Sequence, residues 1–202
     1  MAGTHRERSQ PREGETEGAL PLPFLKRGVA QIAIVVPDLD PVLERYHRLF
    51  GIGPWHIYTY AKPLVKRMTR RGKPAEHAMR VALCYLGDTR IELIQPLEGD
   101  TVYAEFVKAH GYGVHHLGFL TEDMGRDLEA ARRAGIEMTQ DGAGFGPDDD
   151  GHYAYLDTEA LLGTTVELIE RPRRRNPPER IYPPASGDPA EPPKPGGATP
   201  RS

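Results

Sequence analysis

Two stretches of the chain repeat the same order of features, and this repeat restricts the possible folds more than any other property of the sequence. Gln31–Leu39 and His116–Met124 are both short apolar runs that stop at an acidic residue, Asp38 in the first and Asp123 in the second. After each aspartate, apolar residues recur at helical spacing. Each stretch therefore predicts a strand and then a helix, with the aspartate as the helix N-cap.

Each half of the chain also closes on a strand with the tripeptide Glu-Leu-Ile, at Ile91–Ile94 and at Val166–Ile169. The intervening sequence has room for two more strands in each half. These strands are predicted at Trp55–Tyr60, Met79–Leu86, Ile136–Thr139 and His152–Leu156. The repeat thus predicts an α+β fold of two tandem βαβββ modules, at about residues 27–98 and 113–170, joined by a linking helix at 101–110.

The two ends of the chain differ in composition from this core. Residues 1–22 are charged and polar, and residues 173–202 are rich in Pro, Arg, Gly and Ala. Such segments bury too little apolar surface to offset the entropy of ordering, so we expect both tails to be disordered. The folded domain is therefore expected at residues 23–172, with the bulky pair Ile181-Tyr182 as the part of the tail that lies on the surface.

The charge and cysteine content exclude several classes of protein. A net charge of -3 over 202 residues gives no electrostatic signal for nucleic-acid binding, and we interpret the basic run Lys66–Arg71 as a solvated loop. The single cysteine, Cys84, lies in an apolar run and is predicted to be a buried small hydrophobe. No stretch reaches the length of a membrane span and no signal sequence is evident. We expect a cytoplasmic homodimer that acts on a small molecule, without nucleic-acid or membrane partners.

Two such modules packed edge to edge form a half-open barrel with a concave face. Because side chains alternate along a strand, Gln31 is predicted to point into the concavity. Glu92 and Glu167 place a carboxylate in each apolar closing strand, which costs free energy unless the group is paired, protonated or bound to metal. Gln31 and His116 open the equivalent first strands. The repeat therefore predicts one metal site formed by Gln31, Glu92, His116 and Glu167.

Each of these residues also has an ordinary structural interpretation. Either glutamate fits the exposed face of a half-buried strand, and a single buried histidine is more often a hydrogen-bonded structural residue. Their occurrence together at equivalent positions of a repeat favours a site. Oxygen and imidazole ligands without thiolates suit one divalent ion, with Zn, Ni, Co and Mn as the candidates.

The sequence resembles the vicinal oxygen chelate (glyoxalase/bleomycin resistance/dioxygenase) superfamily, and within it the methylmalonyl-CoA epimerase and glyoxalase I-like branch is most similar. The resemblance covers residues 31–170 and is carried by Glu92–Asp100, Gly113–Phe119 and Leu162–Leu168. It implies metal ligands at the start of the first strand and in the closing strand of each half. Those are the same four positions that the repeat selects.

The sequence departs from the epimerase pattern at two positions. Epimerases usually have His where this chain has Gln31, and a Gln, Glu, His, Glu set is instead similar to one class of glyoxalase I. Epimerases also use a catalytic Glu where this chain has Val81, with Glu76 a few residues upstream.

The predicted chemistry is proton removal next to a metal-polarised carbonyl. Glu92 and Glu167 are the candidate acid/base residues, and they face each other as an epimerase or isomerase requires. An acyl-CoA thioester is the candidate substrate. The alternatives are a glyoxalase I-like lyase acting on a thiol adduct and a metal-free binding or resistance protein with the same fold. A ring-cleaving dioxygenase is disfavoured, since its iron needs two His and one carboxylate.

Aromatic residues are the candidate substrate contacts. Trp55 and Tyr58 lie on the strand that follows the first helix, and Tyr155 lies on a strand of the second module. Ordinary strand propensity and core packing explain the same residues equally well. The Gly-rich and acidic segment Gly142–Gly151 is predicted to be a loop over the mouth of the barrel.

Overall fold

The computed structural model describes residues 22–184, and within them both modules join one open 11-stranded sheet. The strands are β1 (Gln31–Val35), β2 (Trp55–Tyr60), β3 (Arg67–Arg70), β4 (Lys73–Pro74), β5 (Ala78–Leu86), β6 (Thr89–Glu98), β7 (Gly113–Leu120), β8 (Met138–Phe145), β9 (Gly151–Leu156), β10 (Thr165–Glu170) and β11 (Arg180–Tyr182). The helices are α1 (Leu39–Phe50), α2 (Val102–His110), α3 (Met124–Arg133) and α4 (Glu159–Leu162), with a 3-10 turn at Pro23–Arg27. Except for Leu22, the predicted tail at residues 1–22 lies outside the described residues.

The strand order is β11-β2-β5-β6-β1-β7-β10-β9-β8-β3-β4. In each module the first strand runs parallel to the closing strand, β1 to β6 and β7 to β10. The modules meet where β1 pairs antiparallel with β7. The strands that carry the predicted metal ligands are therefore the four neighbours β6, β1, β7 and β10. The structure confirms the α+β class with an open sheet.

The two helices after the first strands begin at the predicted caps. The side chain of Asp38 accepts a hydrogen bond from the backbone at the start of α1, and that of Asp123 does so at the start of α3. Leu39 and Leu43 of α1 and Met124 of α3 are buried against the sheet. No helix within residues 22–184 is long and apolar enough to cross a membrane.

Helices α1 and α3 cover one face of the sheet, and the other face forms a separate core to which α2 contributes Val102 and Tyr103. Ala33 and Val35 of β1 belong to a cluster with Tyr58 and Tyr155, whereas Ile34 packs with the residues around α1. This alternation follows the period of two along a strand. Tyr58 and Tyr155 therefore lie on the face of the sheet opposite α1.

Two connections cross from one module to the other. The strand that follows β2, β3, pairs with β8 of the second module and with β4, so the predicted loop Lys66–Arg71 contains a strand. Strand β8 in turn extends to Phe145, so the predicted loop Gly142–Gly151 begins as a strand. The loop predictions were therefore wrong for residues 67–70 and 142–145. These residues form strands because β3 and β8 pair with each other, a contact that the local sequence does not reveal.

The second crossing segment belongs to the predicted C-terminal tail. Residues 171–179, called the strap here, lead from β10 to β11, which pairs antiparallel with β2. The backbone N–H of Glu179 donates to the carbonyl of Ile57 at 2.9 Å. The expectation of disorder is therefore wrong for residues 173–184, and residues 185–202 of the predicted tail lie outside the described residues. The edge of β2 offers unpaired backbone groups that the tail satisfies, a gain that composition does not show.

Candidate metal centre

Gln31, Glu92, His116 and Glu167 converge on the enclosed face of the four central strands. Nε2 of His116 lies 3.0 Å from Oε2 of Glu167 and 3.5 Å from Oε2 of Glu92. One ligand atom from each of Glu92, His116 and Glu167 lies within 4.8 Å of the others. All four side chains are buried. Pairing fixes this convergence, because Ala33 of β1 is opposite both Glu92 of β6 and His116 of β7.

An irregularity in β7 separates the roles of its two adjacent histidines. The register between β1 and β7 shifts next to Ala33, opposite His116. His115 consequently packs against Phe106 and Tyr103 of α2, with ring centroids 5.0 and 5.2 Å away. Its Nδ1 lies 2.9 Å from Nδ1 of His116. Of the two histidines, His116 is thus the one that contacts the glutamates.

The electrostatics of the cluster favour bound positive charge. Burial by itself would lower the pKa of His116, but the charges and hydrogen bonds of Glu167 and Glu92 raise it to about 9. Burial raises the pKa of Glu92, and the nearby charge of Glu167 adds to this effect. Burial and the neighbouring His116 lower the pKa of His115 to about 2, so it is neutral. Two buried carboxylates this close together need a cation or a proton between them.

Gln31 is held in a specific orientation. Its Nε2 donates to Oε2 of Glu92 at 2.8 Å and to Oε2 of Glu167 at 3.0 Å. Its Oε1 accepts a hydrogen bond from Nε of Arg90 at 2.6 Å. The amide thus presents nitrogen to the cluster, and ligation through Oε1 requires it to turn away from Arg90. The side chains already oriented to hold an ion are Glu92, His116 and Glu167, a donor set that suits a divalent cation.

A glycine makes room for this cluster. Gly118 of β7 is paired with Gln31 on one side and with Glu167 on the other. A Cβ atom built on Gly118 would lie 2.9 Å from Cβ of Gln31 and 3.1 Å from Oε2 of Glu167. It would also lie 2.7 Å from Cδ1 of Ile169. Any larger residue at this position would displace the site.

Gln31, Glu92 and Glu167 of the cluster line a cavity of about 710 Å³, its open mouth included. Residues from both modules line it, so the sheet wraps around it. The aromatic wall consists of Tyr58, Tyr60, Phe145, Tyr153 and Tyr155, and the aliphatic wall of Leu64, Met79, Val81, Leu83 and Ile169. The lining is completed by Gly146, Arg90 and four residues of the strap, Arg171, Pro172, Arg175 and Asn176.

The structure places two of the three predicted substrate contacts at the cavity. Tyr58 and Tyr155 line it, but Trp55 does not. Trp55 is fully buried on the opposite face, where its ring lies 5.5 Å from that of Tyr46 and its Nε1 donates to the carbonyl of Ile52. Positions of opposite parity along β2 face opposite sides of the sheet, so the assignment of Trp55 to the pocket is corrected.

The structure also shows where the other candidate acid/base positions lie. Val81 is buried and lines the cavity, so the position where epimerases have a glutamate is apolar here. Glu76 is exposed and pairs with Lys62 away from the cavity. Tyr155 shares a hydrogen bond of 2.6 Å with the hydroxyl of Tyr103. The carboxylates at the cavity are therefore those of Glu92 and Glu167.

Sequence reasoning missed the arginines of the lining. Arg171 lies at the C-terminal end of the predicted domain and Arg175 lies in the predicted disordered tail, so neither was a candidate for the cavity. Tyr60, which also lines the cavity, could have been predicted from the sequence, because it lies two residues from Tyr58 on the same strand and therefore on the same face.

The geometry agrees with the family to which the chain belongs, the Glyoxalase/Bleomycin resistance protein/Dioxygenase superfamily, whose family model matches residues 30–155. This match confirms the resemblance seen in the sequence. The matched region includes Gln31, Glu92 and His116 and ends before Glu167 and the strap.

Solved structures with this fold include methylmalonyl-CoA epimerases. The Mycobacterium tuberculosis enzyme is 22% identical with a TM-score of 0.54, over 72% of this chain and 88% of that chain. A variant of the Streptomyces coelicolor enzyme in complex with 2-nitronate-propionyl-CoA is 21% identical with a TM-score of 0.55, over 74% of this chain and 97% of that chain. An uncharacterized Bacillus subtilis protein, YqjC, is 27% identical over 95 residues, which are 47% of this chain and 67% of YqjC.

Proposed function

We propose that the protein is a metal-dependent epimerase or isomerase that moves a proton on the carbon next to a carbonyl group. The observation that carries this proposal is the pair of buried carboxylates, Glu92 and Glu167, which lie on either side of His116 and line the cavity. Membership of the superfamily and the fold shared with methylmalonyl-CoA epimerases support it.

In this proposal Glu92, His116 and Glu167 hold one divalent ion, Zn, Ni, Co or Mn. Gln31 joins them through Oε1 once its amide turns. When bound, the ion supplies Lewis-acid polarisation of a carbonyl oxygen, which makes the neighbouring C–H more acidic.

The protein side chains perform the proton transfer. Glu92 and Glu167 reach the cavity from opposite modules, so one carboxylate can take the proton from one face of the substrate carbon while the other returns it to the opposite face. The tyrosine wall excludes water and gives a planar substrate aromatic surfaces to lie against.

An acyl-CoA thioester is the first candidate substrate. A glyoxalase I-like lyase that acts on a thiol adduct is the second candidate, favoured by Gln31 and by the apolar side chain of Val81 in the cavity. Incubation in deuterated water separates the two. An epimerase exchanges the hydrogen of a 2-acyl thioester, whereas a lyase converts the adduct of a 2-ketoaldehyde and a thiol into a thioester.

The metal is tested first, by elemental analysis after metal-replete expression. We expect about one equivalent of divalent ion per chain in the wild type, and loss of the metal together with activity in His116→Ala. Gln31→Glu should retain the metal, since it adds a negative charge to a cation site. Less than about a tenth of an equivalent in the wild type would instead favour a metal-free binding or resistance protein.

The acid/base roles are tested with Glu92→Gln and Glu167→Gln. Glutamine keeps an oxygen ligand and removes the proton acceptor, so metal should stay largely bound while exchange slows roughly a hundredfold or more. Glu98→Gln, at an exposed position of the same strand as Glu92, is the matched control and should exchange at the wild-type rate. Exchange at that rate in both cluster variants would leave the glutamates as ligands only.

A further inference from the structure

We propose that Arg171, Arg175 and Asn176 of the strap form an anion subsite, which binds an oxyanion group of the same molecule whose carbonyl reaches the metal centre. This inference rests on the proposed function and narrows its substrate to carbonyl compounds that carry a carboxylate or a phosphate. Arg171 and Arg175 supply the positive charge, and Asn176 adds an amide.

The strap separates its arginines into two pairs. Arg173 donates to Oδ2 of Asp150 at 2.8 Å, and Arg174 donates to Oδ2 of Asp148 at 2.9 Å. These ion pairs fasten the strap to the turn before β9. Arg171 and Arg175 instead line the cavity. Arg173 and Arg174 therefore hold the strap in place, while the guanidinium groups of Arg171 and Arg175 lie at the cavity.

Neither Arg171 nor Arg175 forms an ion pair with an acidic side chain among the described residues. Nε of Arg171 is buried and has no hydrogen-bond partner there. The hydrogen bond of Arg175 goes to the hydroxyl of Tyr85, at 3.4 Å. Arg90 and Arg175 both lie close enough to Arg171 for their positive charges to act on it. A buried guanidinium N–H facing like charges costs free energy, and an anion between the arginines would remove that cost.

The chemistry of the arginines selects the ligand. Guanidinium groups present paired N–H donors that match the two oxygens of a carboxylate or phosphate. The lining contains two acidic residues, Glu92 and Glu167, and both belong to the metal cluster. The same cavity is thus lined by two carboxylates that can hold a cation and by arginines that can hold an anion, with Tyr58 and Tyr60 in the same wall. The strap lies outside the region matched by the family model.

The test measures anion binding without metal or turnover. The full chain, kept in chelator, is titrated calorimetrically with glutarate and separately with adenosine 3′,5′-bisphosphate. We expect binding of at least one probe to weaken roughly tenfold or more in Arg171→Gln and in Arg175→Gln. Arg133→Gln removes an exposed arginine on α3 and should bind as the wild type does. Preference for glutarate identifies a carboxylate on the substrate, and preference for the bisphosphate identifies a nucleotide phosphate such as that of a CoA ester.

Absence of binding by the wild type, or equal binding by all variants, would overturn the subsite. Arg171→Gln and Arg175→Gln are measured separately, so that if one variant fails to fold, the other still tests the subsite. Arg171→Lys is a further variant that keeps the positive charge. A failure of the proposed function has a different signature. Anion binding would depend on the strap as expected, while the metal-loaded protein would exchange no hydrogen with any carbonyl compound.

Discussion

Replacing Gly118 with alanine tests whether the strand packing around the cluster sets its geometry. The new Cβ would lie 2.7 Å from Cδ1 of Ile169, 2.9 Å from Cβ of Gln31 and 3.1 Å from Oε2 of Glu167. Carbon atoms in contact prefer a separation of about 3.5–4.0 Å, so the nearest neighbours must move by roughly 0.5–1 Å. Such overpacking of a core costs about 1–3 kcal/mol of stability.

The same displacement acts on metal affinity. Glu167 and Gln31 lie on the strands to either side of Gly118, so relief of the clash pushes two members of the cluster outward. We expect zinc affinity, measured by competition with a chromophoric chelator, to fall about tenfold, which corresponds to about 1.4 kcal/mol. The unfolding free energy from urea titration should fall by about 1–3 kcal/mol.

Gly113→Ala is the control for this experiment. Gly113 lies at the start of the same strand, and a Cβ built there meets no atom within 4 Å. Its zinc affinity should equal that of the wild type. Unchanged zinc affinity in Gly118→Ala, with stability lowered as expected, would refute the idea that β7 packing positions the ligands.

Three further predictions concern stability, the cavity and assembly. Burial opposes ionisation of Asp127, but hydrogen bonds from Thr121 and Arg27 outweigh it and hold its pKa below the usual value. Asp127→Asn should therefore lower stability by about 1–3 kcal/mol at pH 7, and urea titrations should show this difference shrinking below about pH 4, as the folded wild type is protonated. Tyr58→Ala should raise KM in steady-state assays, whereas Trp55→Phe should leave KM unchanged and lower the melting temperature. The predicted homodimer should appear in light scattering, and a monomer at all concentrations would contradict it.

The repeat predicted the fold and the cluster because both depend on strand pairing. Once β1 lies between β6 and β7, Ala33 fixes the positions of Glu92 and His116 on adjacent strands. Each central strand is hydrogen-bonded on both edges, so a shift by one residue would turn its whole apolar set to the wrong face. Equivalent positions in the two modules must therefore meet, and the sequence contains enough information to name them.

The error at Trp55 has a different physical origin. The aromatic residues of β2 occupy positions of both parities, so composition shows that aromatic side chains are present without assigning them to a face. Packing against Tyr46 of α1 decides the face of Trp55. That contact depends on how the helix lies on the sheet, which the period of a single strand does not specify.

The cavity wall was less predictable than the cluster of Glu92, His116 and Glu167, because the two are built from different parts of the fold. The cluster uses the central strands, whereas the cavity wall also draws on β2 and β8 and on the strap. The strap is ordered by the edge of β2 and by aspartates more than twenty residues away in sequence, such as Asp150, a partner of Arg173. Such contacts produce no periodic pattern in the sequence. Relatives that keep the central strands and change the crossing segments should therefore keep proton chemistry at the cluster while differing in the charged group that they accept at the mouth.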